Sequence, residues 1–176
     1  MSELISNTQS TAIGVAKATP SAHVSTFKGH GGNIPDGCSS FIDDIIVIGS
    51  LKVTDVTVTL KDFVHTWVGD LVVRLHHLET ATVVELFRQP GLPQFSSSGY
   101  SSDLNGDYSF NDCNTCNFEA AGGQSSVIPS GNYAPSGSLK AFYGLPATGT
   151  WRLTIYDCLA GDSGSLGSWE LKIEWR

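Results

Sequence analysis

No run of about 20 apolar residues occurs in the chain, so it contains no segment of the kind that crosses a bilayer as a helix. The start, from Met1 to Thr19, lacks the basic and apolar regions of a secretory signal peptide, and we expect no export signal in it. Lysine and arginine number only 10 against 17 acidic residues and are scattered singly, so no basic stripe could follow a phosphate backbone. These absences argue against a membrane span and against a nucleic-acid partner.

Methionine is also scarce, with one residue among 176, whereas valine, threonine, serine and aromatic residues are frequent and glycine occurs 19 times. Such a composition favours pleated, half-buried surfaces over helices. Short segments of alternating apolar residues recur between turn signals, which is typical of a β-sandwich. The six candidate strands read FIDDIIVIG, VTDVTVTL, DLVVRLHHL, TVVELF, TWRLTIYD and SWELKIEW. The sequence therefore predicts an all-β fold.

The last candidate strand has the clearest alternation. Its apolar residues Trp169, Leu171, Ile173 and Trp175 fall on one face, and the charged residues between them fall on the other. The second and fifth candidate strands alternate in the same way. Three strands of this kind supply one side of a sandwich core, with the other face of each strand in water.

Two stretches carry no such pattern. Residues 1–32 are rich in Ser, Thr, Ala and Gly, and we expect a flexible tail or linker there, with one short strand around Ala12–Ala16. The folded domain would then comprise residues 33–176. Between Phe87 and Ala141, more than fifty residues rich in Gly, Ser, Asn, Asp and Pro lack the pattern as well. A compact domain rarely keeps so long an irregular stretch without a function or a ligand that orders it.

Several motifs resemble those of one known family, the P domain of the proprotein convertases. The most specific are HTWVGDL at residues 65–71, GTWRL at 149–153 and DCLAGDSG at 157–164. The shorter motifs IPDG, FND and SGSLKAF occur in the same order as in that family. The resemblance extends from about Ile34 to Trp175, which is nearly all of the chain outside the predicted tail.

The P domain follows the subtilisin-like catalytic domain in kexin- and furin-type enzymes and is appended to many secreted bacterial proteases. The resemblance therefore implies a jelly-roll β-sandwich in residues 33–176 that has no catalytic activity. It further implies a calcium-binding accessory domain, extracellular or at the cell surface, which stabilises an attached protease, helps it fold or binds its substrates and partners. The four cysteines and the long Asp103–Asn117 loop depart from the family pattern.

The tetrapeptide Gly-Asp-Ser-Gly at residues 161–164 is the one that carries the nucleophilic serine of trypsin-like proteases. A nucleophilic Ser163 would need an activating His and Asp, an oxyanion hole and a substrate pocket. Only 13 residues follow Ser163, and one predicted strand accounts for them. We therefore interpret Gly161 and Gly164 as residues that permit a tight connection between two strands, and we expect no protease activity.

Calcium takes six to eight oxygen ligands, and loops rich in Asp, Asn and Gly supply them. The resemblance implies that such a site is built from the carboxylates that match acidic positions of the family, because the connections of a jelly roll gather at its ends. These residues are Asp36, Asp70, Asp112, Asp157 and Asp162. Alternatively, they are solvated aspartates that stabilise turns by local hydrogen bonds.

Asp103, Asn105 and Asp107 form a second calcium candidate, because they have the spacing that opens an EF-hand loop. The remainder of that motif is absent. Tyr108 stands where the sharp turn requires glycine, and Asn114 stands where a bidentate glutamate belongs. An irregular calcium loop and a polar surface loop both remain open interpretations.

The cysteines Cys38, Cys113, Cys116 and Cys158 are even in number, which suits either disulfides or one tetrahedral metal. Zinc would normally need a second close pair, and only Cys113 and Cys116 are close in sequence. In a secreted accessory domain, as the resemblance implies, we expect disulfides, Cys113 with Cys116 and Cys38 with Cys158. Free thiols are the remaining alternative.

The aromatic residues suggest a further, non-enzymatic function. Three of the four tryptophans lie on apolar faces of predicted strands, whereas Trp67, Tyr100 and Tyr108 lie in predicted loops. Exposed aromatic side chains in a cluster would mark a binding site. The alternative to a protease accessory domain is thus a binding or adhesion module for an extracellular polysaccharide or protein.

Overall fold

The computed structural model describes residues 22–176 as two β-sheets packed face to face. The larger sheet has the order β1-β10-β3-β6-β7, with β8 paired to β6, and the smaller has the order β2-β9-β4-β5. All pairings are antiparallel except those of β7 and β8 with β6. The strands are β1 (His23–Ile34), β2 (Ser39–Val47), β3 (Val53–His65), β4 (Leu71–His77), β5 (Thr82–Arg88), β6 (Asp103–Phe110), β7 (Val127–Ile128), β8 (Gly131–Tyr133), β9 (Gly149–Asp157) and β10 (Gly164–Trp175).

Helical structure in the described residues is confined to short segments. A single α-helix, α1 (Phe118–Gly122), is capped by the side chain of Asn117, which accepts a hydrogen bond from the amide of Ala120. Three 3-10 turns lie at Val68–Asp70, Leu78–Thr80 and Leu139–Phe142. No helix within residues 22–176 is long and apolar enough to cross a membrane. The predicted all-β sandwich is confirmed, while its jelly-roll connectivity stays a prediction.

The core lies between the two sheets and follows from the alternation in the strands. Trp169, Leu171 and Ile173 of β10 are fully buried, as the sequence predicts, and they belong to the same core cluster as Trp151 and Leu153 of β9 in the other sheet. Trp175, at the end of β10, is only partly buried and packs edge-on against Phe27. All six strands predicted from the sequence are present, as β2, β3, β4, β5, β9 and β10.

The first strand was not expected. It includes residues 23–32, which the sequence suggested were flexible, and it pairs with β10 along nearly its whole length. Its glycines permit this close packing: a Cβ atom on Gly31 would lie 2.1 Å from the backbone oxygens of Leu166 and Gly167. The folded domain therefore begins about ten residues earlier than predicted. The short strand proposed around Ala12–Ala16 lies outside the described residues.

The stretch between Phe87 and Ala141 is also more ordered than its composition suggests. It holds β6, α1, β7 and β8, and β6 pairs with the central strand β3. The expected long loop from Asp103 to Asn117 is therefore a strand as far as Phe110. Alternation in β6 buries Leu104, Tyr108 and Phe110, which pack around Phe118 of α1.

Candidate functional site: an acidic cavity at one end of the sandwich

Four of the predicted calcium ligands meet at one end of the sandwich. Asp157 is the last residue of β9 and lies beside Leu71, the first residue of β4. Asp70 immediately precedes that strand, and its carbonyl accepts a hydrogen bond from the amide of Cys158. Asp36 lies in the turn between β1 and β2, and Asp162 lies in the connection between β9 and β10. The expected convergence of loops thus holds for these four carboxylates.

Asp70 is the most unusual residue of this group. Its relative exposure is only 2%, and within residues 22–176 no hydrogen-bond donor reaches its carboxylate. It lines a cavity of about 210 Å³, which we call the acidic cavity. The cavity is lined by Trp67, Asp70, Ser98, Leu159, Ala160 and Asp162. Water can reach the Asp70 carboxylate only through this cavity, and such limited hydration disfavours its charged form.

The electrostatic environment of Asp70 also disfavours the charged form of its carboxyl group. Burial, followed by repulsion from Asp157, Asp162 and Asp36, raises the pKa of the Asp70 carboxyl to about 6. No lysine or arginine contributes an opposing effect. The local arrangement therefore favours either a proton on Asp70 or a cation close to it.

Asp157 is fully buried but has partners. One of its oxygens lies 3.3 Å from Nε2 of His65, which is itself fully buried, and the other accepts a hydrogen bond from the amide of Leu159. Burial raises the pKa of the Asp157 carboxyl, and the hydrogen bond with His65 opposes that rise. Nδ1 of His65 lies 3.0 Å from the carbonyl oxygen of Trp67, which anchors the segment leading into Asp70.

The other two carboxylates hold the loops around the cavity. Both oxygens of Asp36 accept from the amide of Gly161, at 3.1 and 3.2 Å. One oxygen of Asp162 accepts a 2.8 Å hydrogen bond from the hydroxyl of Thr66. Both aspartates therefore connect the 158–163 loop to neighbouring segments, and the second oxygen of Asp162 has no donor among the described residues.

The oxygen ligands at the acidic cavity suit a hard cation such as calcium, but they are few. Within residues 22–176, no three His, Cys, Asp or Glu side chains are arranged closely enough to enclose a metal ion by themselves. Calcium accepts backbone carbonyls and water in place of carboxylates, so two aspartates at a cavity do not exclude it. The compatibility with a cation depends mainly on Asp70, a residue with 2% exposure whose carboxylate has no donor among residues 22–176 and is surrounded by negative charge.

The remaining predicted ligands lie elsewhere. Asp112 caps the 3-10 turn at Leu139–Phe142, where its carboxylate accepts hydrogen bonds from the amides of Leu139 and Lys140 and from the hydroxyl of Ser138. Asp112 is close enough to Tyr143 to help raise the pKa of that phenol. The hydroxyl of Tyr143 donates a hydrogen bond to Asp55 near the start of β3, so Asp112 lies at the end of the sandwich opposite to the acidic cavity. Asp112 thus caps a 3-10 turn, and both of its carboxylate oxygens accept hydrogen bonds.

Asp103, Asn105 and Asp107 alternate with buried residues of β6, so they lie on the outer face of the larger sheet rather than in a loop. Asp107 forms a 2.8 Å ion pair with Lys61 and accepts from the amide of Asp62. Neither Asp103 nor Asp107 contributes to the raised pKa of Asp70. Both open interpretations of this segment, an irregular calcium loop and a polar surface loop, assumed a loop, whereas residues 103–110 form a strand whose spacing of two is that of a strand face.

The four cysteines are free thiols, so the structure does not contain the expected disulfides. Cys38 and Cys158 do lie on neighbouring segments: Sγ of Cys38 is 3.5 Å from the carbonyl oxygen of Cys158. Cys113 and Cys116 are both exposed in the turn that follows β6. Burial and the nearby Asp157 raise the pKa of the Cys158 thiol, which disfavours its reactive thiolate form.

The three aromatic residues predicted to bind a partner have different environments. Tyr108 is fully buried and donates a hydrogen bond to the carbonyl of Ile128, so its predicted role in binding was wrong. Trp67 is partly exposed, lines the acidic cavity and donates from Nε1 to the carbonyl of Ser98. Tyr100 is partly exposed and contacts Phe95, an exposed residue that the sequence analysis did not single out.

Ser163 lies beside the acidic cavity rather than in a catalytic constellation. Its amide donates to the hydroxyl of Thr66, and its carbonyl accepts from the Thr66 amide. Among the described residues, no histidine is hydrogen-bonded to its hydroxyl. Sequence reasoning also missed Ser98 as part of the cavity wall and Thr66 as the residue that donates a hydrogen bond to Asp162. Only the position of Thr66 within the HTWVGDL motif could have indicated the latter.

These features define a β-sandwich domain with an acidic cavity where its loops meet. The chain belongs to the proprotein convertase P-domain family, whose model matches residues 53–173. The resemblance stated from the sequence motifs is therefore confirmed. No curated protein matches the chain in sequence.

Solved structures share the fold at low identity. The crystal structure of a serine protease of Aeromonas sobria is 18% identical, with a TM-score of 0.55, and the match covers 92% of this chain and 28% of that chain. The crystal structure of an Aeromonas sobria serine protease in complex with the chaperone ORF2 is 19% identical, with a TM-score of 0.56, and the match covers 92% of this chain and 28% of that chain. The crystal structure of FLHE is 12% identical, with a TM-score of 0.51, covering 89% of this chain and 99% of that one. The chain thus spans little more than a quarter of the first two.

Proposed function

We propose that the chain is a calcium-stabilised, non-catalytic accessory domain of an extracellular protease. Membership of the P-domain family supports the protease association, and the match to about a quarter of a larger serine protease chain is consistent with it. The observation that carries the calcium part is the carboxylate of Asp70, which is 2% exposed, has no donor among the described residues and has a pKa raised to about 6.

Asp70 and Asp162 line the acidic cavity and would supply its ligands, with Asp36 and Asp157 adding negative charge close by. Asp36, Asp70 and Asp162 belong to three connections, the β1–β2 turn, the segment before β4 and the β9–β10 loop, and Asp157 ends β9. A calcium ion bound there would offset the repulsion among the four carboxylates. Unfolding would separate the ligands and release the ion. Calcium would therefore bind only the folded chain, and its binding would increase the free energy of unfolding.

Thermal unfolding in calcium and in chelator tests this proposal. With free calcium at about 100 times Kd, linkage stabilises the fold by about 2.7 kcal/mol. For a domain of this size that corresponds to a rise in the midpoint of about 5–10 °C. Asp70→Asn should abolish the rise, because it removes a ligand while preserving the shape of the side chain. An unchanged midpoint for the wild-type chain in calcium would contradict the calcium part of the proposal.

Asp103→Asn is the matched control. Asp103 is another aspartate that the sequence suggested as a ligand, but it lies in β6 on the outer face of the larger sheet. This variant should retain the full calcium response. Equal loss of the response in Asp70→Asn and Asp103→Asn would instead indicate nonspecific screening of a chain with net charge −7.

The protease role is tested separately, in the polypeptide or complex in which the chain occurs with its protease. We expect Asp70→Asn to shorten the half-life of proteolytic activity at elevated temperature in calcium, while the initial activity before heating is unchanged. Asp103→Asn should leave both quantities unchanged. If neither the half-life nor the folding yield of the protease depends on this domain, the accessory role is refuted even where calcium stabilises the isolated chain.

A further inference from the structure

The loop between β5 and β6 carries an exposed aromatic pair that the proposed function does not use. Phe95 is 66% exposed, the highest exposure of any large aromatic side chain among the described residues. Its ring contacts that of Tyr100 with a centroid distance of 4.8 Å and an interplanar angle of 44°. Single exposed hydrophobic residues are common on proteins, but an exposed ring that packs on a second, partly exposed ring beside a cavity points to a binding site.

Tyr100 is held rigidly by its surroundings. A Cβ atom on Gly91 would lie 2.9 Å from Cγ of Tyr100, and one on Gly123 would lie 3.0 Å from its Cζ and hydroxyl oxygen. Backbone hydrogen bonds fix the loop as well: the amide of Phe95 donates to the carbonyl of Gly91, and the amide of Tyr100 donates to the carbonyl of Pro90. The aromatic pair is therefore preorganised, which lowers the entropic cost of binding a ligand.

A cavity of about 300 Å³ adjoins this pair, and we call it the serine cavity. Apart from Phe95 and Tyr100, its lining consists of serines, glycines and one glutamine, none of which carries a charge. Ser102 stabilises the wall by donating to the carbonyls of Gly122 and Ser125. The volume lies at the lower end of the range for small-molecule sites.

Five hydrogen-bonding groups at the serine cavity are uncommitted. The hydroxyl of Tyr100 and the side chains of four lining residues form no hydrogen bond with any other residue among those described; the four are Ser101, Gln124, Ser125 and Ser126. Hydroxyl and amide groups both donate and accept, so together they match a ligand that also carries many hydroxyl groups. The neutral lining disfavours an ionic ligand, which would be desolvated without compensation.

We propose that Phe95, Tyr100 and the serine cavity form a binding site for a neutral oligosaccharide. The apolar C–H face of a sugar ring would stack on the aromatic pair, and its hydroxyl groups would bond to the uncommitted side chains. A pyranose presents these two surfaces together, whereas an apolar peptide segment would leave the serine hydroxyls unpaired. The serine cavity and the acidic cavity share no lining residue, although the loop between β5 and β6 borders both.

Amide NMR spectra of the full chain, recorded during titration with maltohexaose, cellohexaose and chitohexaose at millimolar concentration, test this site. At least one of the three should shift the amides of Ser101, Gly122 and Gly123 in a saturable manner. Phe95→Ala should then weaken binding at least tenfold, since it removes half of the stacking surface. Because Phe95 is largely exposed, this variant should fold normally, and its otherwise unchanged spectrum verifies that.

Ile48→Ala is the matched control, because Ile48 is 88% exposed, follows β2 and makes no part of the serine cavity. It should bind the same oligosaccharide with unchanged affinity. The proposal is overturned if none of the three probes shifts those amides, or if the shifts persist in Phe95→Ala. It is equally overturned if both variants lose binding to the same extent, since the effect would then not be specific to the aromatic pair.

Discussion

A single buried carboxyl group gives the metal-free chain a predictable pH dependence. The ordinary pKa of an aspartate is about 3.9, and in the folded chain that of Asp70 is raised to about 6. Between about pH 4 and 6, the folded chain therefore holds one more proton than the unfolded chain, and the free energy of unfolding falls as the pH rises. Two pKa units correspond to at most about 2.7 kcal/mol.

Asp70→Asn should abolish this contribution. In chelator at pH 8 the variant should be more stable than the wild type by about 1–2.5 kcal/mol, and the difference should disappear as the pH falls towards 4. In excess calcium at pH 8 the order should reverse, because only the wild type retains the ligand. Denaturant unfolding at several pH values measures both effects, and a variant that is less stable at pH 8 in chelator would contradict the assigned cost of Asp70.

Thiol reactivity provides a second prediction for individual residues. Because burial and Asp157 raise the pKa of Cys158, a smaller fraction of this thiol is ionised at pH 8, and Cys158 should react with iodoacetamide more slowly than the exposed Cys38. Mass spectrometry of timed digests gives both rates in one sample. If Cys158 and Cys38 react at comparable rates, Cys158 is not in a buried environment. If either cysteine reacts with iodoacetamide only after chemical reduction, it is not a free thiol.

The positions of individual carboxylates were predictable only where a motif fixed their place. Asp70, Asp157 and Asp162 lie in motifs of the family, and the structure brings them together at one end of the sandwich. Asp112 also matched a motif, but its oxygens cap a 3-10 turn that no sequence pattern indicated. The sequence also could not predict that Asp70 has no donor among residues 22–176, because this depends on the three-dimensional placement of the surrounding loops.

Among the elements, β1 illustrates why glycine was misread. A Gly-rich segment is flexible in isolation, but in β1 the missing side chains let the strand pack closely on β10. Gly31→Ala places a Cβ atom 2.1 Å from two backbone oxygens, so β1 or β10 must shift. We expect a loss of about 1–3 kcal/mol, as is typical of overpacking, measured by thermal unfolding.

Gly49→Ala is the control for that substitution, because a Cβ atom there meets nothing within 4 Å. It should leave the midpoint unchanged or raise it slightly, since alanine reduces the freedom of the unfolded chain. Should both variants unfold at the same midpoint as the wild type, the close pairing of β1 with β10 would be refuted.

β6 was missed for a different reason. Its sequence, DLNGDYSF, is polar on the outer face and contains a glycine, so it lacks the apolar density that marked the other strands. Its inner face is nevertheless apolar, and Tyr108 and Phe110 pack within the core. The six confirmed strands had strong alternation or β-branched residues, whereas β6 gains its order from pairing with β3, a long-range contact that a local pattern does not reveal.

On the scale of the whole molecule, β1 connects the two sheets. It pairs with β10 at the edge of the larger sheet. It also contacts β2 in the smaller one, where the amide of His30 donates to Asp43 at 2.8 Å. The same carboxylate of Asp43 accepts from Nε1 of the buried Trp169 in β10. Both sheets are thus joined along this side through a strand that the sequence assigned to a linker.

The position of the domain boundary can therefore be tested by shortening the chain. A chain that begins at Asn33, the boundary expected from the sequence, lacks ten of the twelve residues of β1 and exposes the edge of β10. We expect it to unfold at a much lower temperature or to aggregate, because an uncovered strand edge is a site for intermolecular pairing. A chain that begins at Ala22 keeps the whole strand and is the matched control. Equal midpoints for these two chains would show that β1 contributes nothing to the fold, whereas a large difference would place the start of the domain at β1.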